Sequence, residues 1–318
     1  MKLNGLHHVT AVTAKAQANY NFYTQVLGMR LVKKTVNQDD VSAYHLFYAD
    51  KLGSPGTNLT FFDWAIGPNR NGPGSIANTG LRVPGRAALD WWAERLTHQG
   101  LEHSGLVEFH GHSLINFTDP EGQHLSLVND DGAPGGTPWE KSLVPAEHAI
   151  RGLYASTLIV RELELTELVL TKVMGYERAA DYETGPNERM IVYELDGGGA
   201  GNEIWVVEQP DGSPGQLGAG GVHHIAFRVP DDEAQRAWRE RLASVGLGVT
   251  DIIDRFYFHS IYFRIPGGIL FEIATDGPGF TADEDLDTLG EQLALPPFLE
   301  PQRARIEAGL KPIATMAQ

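Results

Sequence analysis

The chain has no cysteine among its 318 residues. Disulfides, thiolate metal sites and cysteine nucleophiles are thereby excluded, and any metal must sit on His, Asp, Glu or backbone oxygen. Positive charge is also scarce. Lys and Arg number 25 against 41 Asp and Glu, a formal net charge of −16, which repels phosphate backbones and anionic membrane surfaces alike. Neither nucleic acid nor a membrane is expected as a partner. No apolar run approaches the ~20 residues that span a bilayer. The N-terminus, MKLNGLHHVT, lacks the apolar stretch of a secretory signal, so a cytoplasmic location is the default expectation. What remains is a soluble, core-forming composition, 42% hydrophobic and 21% charged, in a length that fits two domains of roughly 150 residues each.

One short unit recurs four times with divergence. Its starts are LHHVTAVT at Leu6, IANTGLRVP at Ile76, LYASTLIV at Leu153 and VHHIAFRVP at Val222, each alternating as a half-buried strand does. An amphipathic stretch follows each: Ala16 to Leu27, Ala87 to Gln99, Glu162 to Val173 and Asp232 to Val245. Gly28, Gly100, Gly175 and Gly246 close these stretches, where a left-handed C-terminal position favours a residue without Cβ. Short strand-like runs come next. Three units then turn through Pro-Gly or Pro-Glu-Gly into a last strand (SPGTNLTFF, DPEGQHLSLV, IPGGILFEI), while the third closes with NEIWVVE.

The pattern predicts an α+β fold of four βαβββ modules, which must pair because such a sheet cannot bury its apolar face alone. The Gly-, Pro- and Asp-rich segment Asn129 to Pro145 reads as a linker. The expected division is an N-terminal domain over 1–130, a linker over 131–147, a C-terminal domain over 148–279 and an extension over 280–318. The acidic extension contains one short helix near Pro301 to Leu310 and is either packed against a domain or laid over the site.

Twelve histidines are present. His45, His98, His103, His110, His112, His124 and His148 are scattered with no pattern that asks for a role. The doublets His7-His8 and His223-His224 stand apart, because they occupy equivalent places in the first strands of modules one and four. Alternation sends the two members of a doublet to opposite faces, so one imidazole of each faces a given cleft. Module two has Asn78 where His224 stands, and module three has Ala155 or Ser156 near the corresponding place. A single asymmetric site in a duplicated scaffold leaves such a trace.

The carboxylate comes from the same comparison. Glu272 lies in the apolar run PGGILFEI, where module two has Ser126, and a carboxylate in so apolar a strand is costly unless paired or bound to metal. Two imidazoles and one carboxylate match the facial triad of non-haem Fe(II) oxygenases, and three protein ligands equally suit catalytic Zn²⁺. Close by in DIIDRFYFHSIYFRIPGG, Arg255 is placed to clamp an anionic oxygen and Tyr262 to exchange a proton with a ring hydroxyl. The plainer readings are a surface arginine and a core tyrosine.

With these residues in view the chain resembles the vicinal oxygen chelate superfamily, and within it the ring-cleaving hydroquinone dioxygenases, of which dichlorohydroquinone dioxygenase is one. The resemblance runs through LHHVT, YNFYTQVLGMRLVKKTVNQDD, YHLFYADKLGSPGT, EHAIRGLYAS, GVHHIAF, DRFYFHSIYFRIPGGILFEIATD and GFTADEDLDTLG. It implies Fe(II) held by the second histidine of each doublet and the glutamate of the last strand, here His8, His224 and Glu272. Mn(II) or Zn(II) could replace iron on purification. It further implies that His7 and His223 lie just behind the metal, that Arg255, Tyr262 and His223 act on the substrate, and that the partners are a small aromatic and O₂. Phe256 and His259 depart from the smaller or acidic residues expected there in the chlorohydroquinone enzymes, so the ring substituents do not carry over. A homo-oligomer is left open. Two rivals remain: a glyoxalase-type metal-dependent lyase or isomerase, and a non-catalytic resistance protein that sequesters aromatics.

Overall fold

The computed structural model describes residues 1–315. Each repeated unit folds as one module. Module one comprises β1 (Leu6–Thr13), α1 (Ala16–Asn21) continuing into a wider π-type turn (Phe22–Val26), β2 (Arg30–Asn37), β3 (Asp40–Ala49) and β4 (Asn58–Asp63). Module two has β5 (Ser75–Val83), α2 (Arg86–His98), β6 (Val107–Phe109), β7 (His112–Thr118) and β8 (His124–Asn129). Module three has β9 (Gly152–Val160), α3 (Leu163–Leu168) with its π-type turn (Val169–Val173), β10 (Glu177–Gly185), β11 (Glu188–Glu194) and β12 (Glu203–Glu208). Module four has β13 (Val222–Val229), α4 (Asp232–Ser244), β14 (Ile253–Asp254), β15 (Phe258–Arg264) and β16 (Leu270–Pro278).

The four closing glycines take φ of +69°, +71°, +85° and +80°, the left-handed region that the helix ends require. α2 buries Leu89, Trp92 and Leu96, and α4 buries Gln235, Trp238 and Leu242, the same i, i+3, i+7 stripe laid on the sheet. Among the described residues no helix is long and apolar enough to cross a membrane.

The modules pair differently from the expected division. β1 runs antiparallel to β13, and β5 antiparallel to β9. Modules one and four therefore share one eight-stranded half, in the order β2-β3-β4-β1-β13-β16-β15-β14, and modules two and three share the other. The bridge from Val222 to Ile76 joins the halves through β13 and β5, and backbone bonds from Leu6 to Gly201 and from Leu153 to Gly56 also cross between them. The grouping of modules one and two in 1–130 and of three and four in 148–279 is corrected by this pairing. Its physical basis is the first strand of each module, whose free edge accepts any equivalent edge, so sequence proximity does not choose the partner.

The extension contains α5 (Arg303–Gly309), close to the expected helix, and packs behind the module-one/four half. The ammonium of Lys33, on β2 and 0% exposed, bonds the Asp283 carboxylate at 2.7 Å and the carboxylate of Glu284. Phe280 packs edge-on against Phe47 and tilted against Tyr257, at 5.1 and 5.3 Å between ring centres.

Candidate metal centre

His8, His224 and Glu272 come from β1, β13 and β16, three adjacent strands. Ala226 is directly opposite His8 on one side and beside Glu272 on the other. Residues opposite each other share a face, so the small Ala226 side chain leaves a gap between the two larger ones, and His224, two residues earlier, points into the same gap. The result is compact. His8 Nε2 lies 3.3 Å from both His224 Nε2 and Glu272 Oε2, and His224 Nε2 lies 2.9 Å from Glu272 Oε2. All three residues are buried.

The first members of the doublets stand behind the second, and His7 sets the His8 tautomer. His7 Nε2 faces the Thr275 carbonyl at 3.2 Å, which only accepts, so Nε2 carries the proton and Nδ1 is an acceptor. His8 Nδ1, 2.8 Å away, must then donate, which leaves the His8 Nε2 lone pair aimed at the gap. His224 Nδ1 meets His223 Nδ1 at 2.7 Å, so one of these two nitrogens donates to the other. On the far side Ser260 donates to Glu272 Oε1 at 2.5 Å, while Oε2 is buried with no hydrogen bond.

Three potential ligand atoms thus converge on one point, an arrangement suited to a cation among them. Two ligands held at ~2.1 Å and at right angles on a metal stand about 3.0 Å apart, against the observed 2.9 to 3.3 Å. The protonation states agree. Burial lowers the His224 imidazole below its ordinary range despite Glu272 beside it. Burial pushes the Glu272 carboxyl up, but the two imidazoles outweigh it and hold it well below the usual range. Neutral imidazoles and an ionised carboxylate are what a divalent cation needs. Among the described residues no other group of His, Asp and Glu converges in this way.

The gap opens into a cavity bordered by Thr35 to Asp39, His45, Phe47, Phe62, Arg255, Tyr257, Phe258 and Tyr262. Tyr262 is paired with Glu272 across β15 and β16, and its ring stands edge-on to His224 at 5.8 Å. Burial, then Glu272, raises the Tyr262 phenol well above its ordinary range, with Arg255 opposing; the hydroxyl is therefore protonated. Arg255 points its Nε at that hydroxyl from 3.4 Å and grips the exposed Asp39 carboxylate through both Nη atoms at 3.1 and 2.9 Å.

His223 does not line this cavity. It stays behind His224 against Phe62 and Trp64 and borders a separate hollow with Asn69 and Arg264, because alternation along β13 turns it to the face opposite His224. Burial, with His224 and Arg264 beside it, lowers its pKa to about 3. It lies 2.7 Å from His224 Nδ1 and outside the cavity, away from where the expected ring-steering role would put it. His259 also lies outside the cavity, bonded to Asp232 at 2.5 Å.

Sequence reasoning passed over three contributors. His45 lines the cavity with Nε2 3.0 Å from Thr60 Oγ1, kept neutral by burial. Phe258 stands 5.2 Å from both His7 and His8. Ser260 orients Glu272. The available signal was alternation: His45 with Phe47, and Phe258 with Ser260 and Tyr262, each fall on one face of a strand beside the triad.

The glyoxalase/bleomycin resistance protein/dioxygenase superfamily matches residues 5–127 and 155–273. The chain belongs to this superfamily. Among superfamily relatives, a candidate ring-cleaving dioxygenase of Bacillus subtilis, MhqA, is 46% identical over 98% of this chain and 100% of its own. The chlorohydroquinone/hydroquinone 1,2-dioxygenase of Sphingobium indicum is 34% identical over 94% of this chain and 93% of its own. A crystal structure of a candidate dioxygenase from Bacillus subtilis superposes with a TM-score of 0.89 at 41% identity, covering 100% of this chain and 99% of that one.

Proposed function

We propose that the chain is an Fe(II)-dependent ring-cleaving dioxygenase acting on hydroquinone or a related dihydroxylated aromatic. The observation that carries this reading is a buried His-His-carboxylate triad, His8, His224 and Glu272, at the floor of a cavity walled by aromatic rings. The full-length likeness to proteins named as ring-cleaving dioxygenases supports it. A bound ferrous ion supplies the redox chemistry by which a closed-shell aromatic reacts with O₂, with both oxygen atoms ending in the ring-opened product.

The chain's own residues do the rest. Phe47, Phe62 and Phe258 offer apolar faces that hold a ring flat and keep bulk water from it. Arg255 brings a positive charge to a phenolic oxygen and favours its ionised form. Tyr262, protonated and within reach of the Arg255 Nε, donates a hydrogen bond to that oxygen and holds the proton that passes between substrate and solvent. Asp39 anchors Arg255 at the cavity mouth, where the guanidinium separates the interior from water.

The test is anaerobic reconstitution with Fe(II), followed by O₂ uptake with a panel of hydroquinones and catechols. One O₂ consumed per ring opened supports the reading. Turnover of a glyoxalase-type substrate with Zn²⁺ and without O₂ would overturn it.

A further inference from the structure

Between the two halves, away from the triad, the N-terminal segment, the loop before β4, the linker and the turn before β12 enclose a cavity of about 370 Å³. The duplication sets equivalent residues around it. Asn4 and Arg151 donate their backbone N–H groups to the carbonyls of Arg228 and Arg82, both at 2.9 Å. Gly56 and Gly201 donate to the carbonyls of His7 and Tyr154, both at 2.8 Å. All the charged residues in the wall, Arg82, Arg151 and Arg228, are arginines, against the trend of a chain with net charge −16.

Two of them are satisfied within the fold. Arg82 Nε bonds Asp130 at 2.8 Å, with its Nη2 on the carbonyls of Ala133, Pro134 and Gly135. Arg228 takes both oxygens of Asp276 at 2.8 and 3.0 Å. Arg151 is different. Among the described residues its guanidinium has no ion pair or hydrogen bond, and its Nε is shut off from water with no acceptor. A buried guanidinium N–H without an acceptor is unfavourable. The fold does not demand this charge, since Asn4 holds the equivalent place. The linker is fitted closely around it: Gly136, at φ +72°, passes so near that a Cβ would stand 2.0 Å from the Arg151 carbonyl oxygen.

We propose that this cavity binds a small oxyanion, a carboxylate or phosphate group, on the guanidinium of Arg151. The planar fork of N–H donors matches such a group, and Arg82 and Arg228 add positive potential around it. The proposal is independent of the triad and of the reaction at it.

Calorimetric titration of the full chain with inorganic phosphate, and separately with malonate, at constant ionic strength is the test. Saturable binding of either anion is expected, with a matching rise in Tm, since a ligand of the native state alone stabilises it; the anion that binds identifies the class. Arg151→Gln should weaken binding at least about tenfold. Asn4→Asp, which sets a fixed carboxylate in the same cavity, should do likewise and keeps the test valid if the arginine variant folds poorly. No saturable binding of either anion, or wild-type affinity in Arg151→Gln or Asn4→Asp, overturns the proposal.

Discussion

Replacing His7 by leucine should weaken metal binding without touching a candidate ligand. His7 accepts from His8 Nδ1 at 2.8 Å and is itself fixed by the Thr275 carbonyl. His8 is 2% exposed, so no water replaces the lost acceptor. Leaving a buried N–H unpaired costs about 1–3 kcal/mol. The alternative is for His8 to move its proton to Nε2, which removes the lone pair aimed at the metal. Either route disfavours the metal-bound state. At about 1.4 kcal/mol per factor of ten, the loss corresponds to roughly 5- to 150-fold in affinity, in line with the ~10–100-fold usual for such supporting groups.

The assay is competition for Fe(II) or Co(II) against a chromophoric chelator under argon, with metal-free Tm as the control for folding. His7→Asn keeps an acceptor close to the backbone and should recover most of the affinity. The reasoning fails if His7→Leu binds metal within twofold of wild type. It fails equally if His7→Asn is no better than His7→Leu, because the acceptor would then not be what matters.

Tyr262→Phe should hold metal normally, still bind hydroquinone and turn over about 10²–10⁴-fold more slowly; lost metal, seen by elemental analysis, would move Tyr262 to support of the triad. Lys33→Met leaves Asp283 and Glu284 without their buried cation and should destabilise by about 3–5 kcal/mol, read as a lower urea midpoint and early proteolysis of the extension; an unchanged midpoint counts against the anchoring role. His112 and Glu203 form a pH-dependent pair in the other half. The Glu203 hydrogen bond raises the imidazole, whose contribution is present below its ordinary 6.5 and lost as pH rises through the raised value. Burial pushes Glu203 up, but His112 outweighs it and lowers the carboxyl, whose contribution is present above its ordinary 4.5 and lost as pH falls through the lowered value. The Tm difference between wild type and His112→Gln should therefore be largest near pH 5.5 and shrink by pH 9, and a difference constant with pH would exclude the pairing.

Legibility in the sequence followed the range of the interaction. Helix ends were readable because a positive φ at Gly28 or Gly246 is a local demand. The convergence of His8, His224 and Glu272 was readable because the repeat supplies its own comparison, with Asn78 and Ser126 showing what the same positions hold when no metal is needed. Module pairing was not readable. The edge of β1 offers the same unpaired groups to β5, β9 or β13, and nothing within any one strand selects among them. His45 was missed for the same reason: its strand alternates visibly, but which face meets a cavity depends on β1 and β13 lying beyond β4.

Among the described residues the second half has no ligand set at the equivalent place. Register puts Tyr154 at the place of His7 and Ala155 at that of His8, so module three presents no imidazole to its gap. Asn78 and Ser126, uncharged groups in the places of His224 and Glu272, bond each other at 2.9 Å and call for no cation. Behind them Tyr154 meets His112 at 2.9 Å and Glu203 at 3.2 Å, and Glu203 accepts from the Trp205 indole at 2.8 Å. Each residue of that network has a partner in it, which favours a buried network that stabilises its half unaided. In the triad half the matching condition is unmet, since Glu272 Oε2 and the two Nε2 atoms have only one another. Metal removal should accordingly lower the stability of modules one and four and leave two and three unaffected. Hydrogen exchange can resolve this: protection lost on chelation from β1, β13 and β16 but retained in β5, β8 and β9 is the expected pattern, and uniform loss would mean that the two halves unfold as one unit.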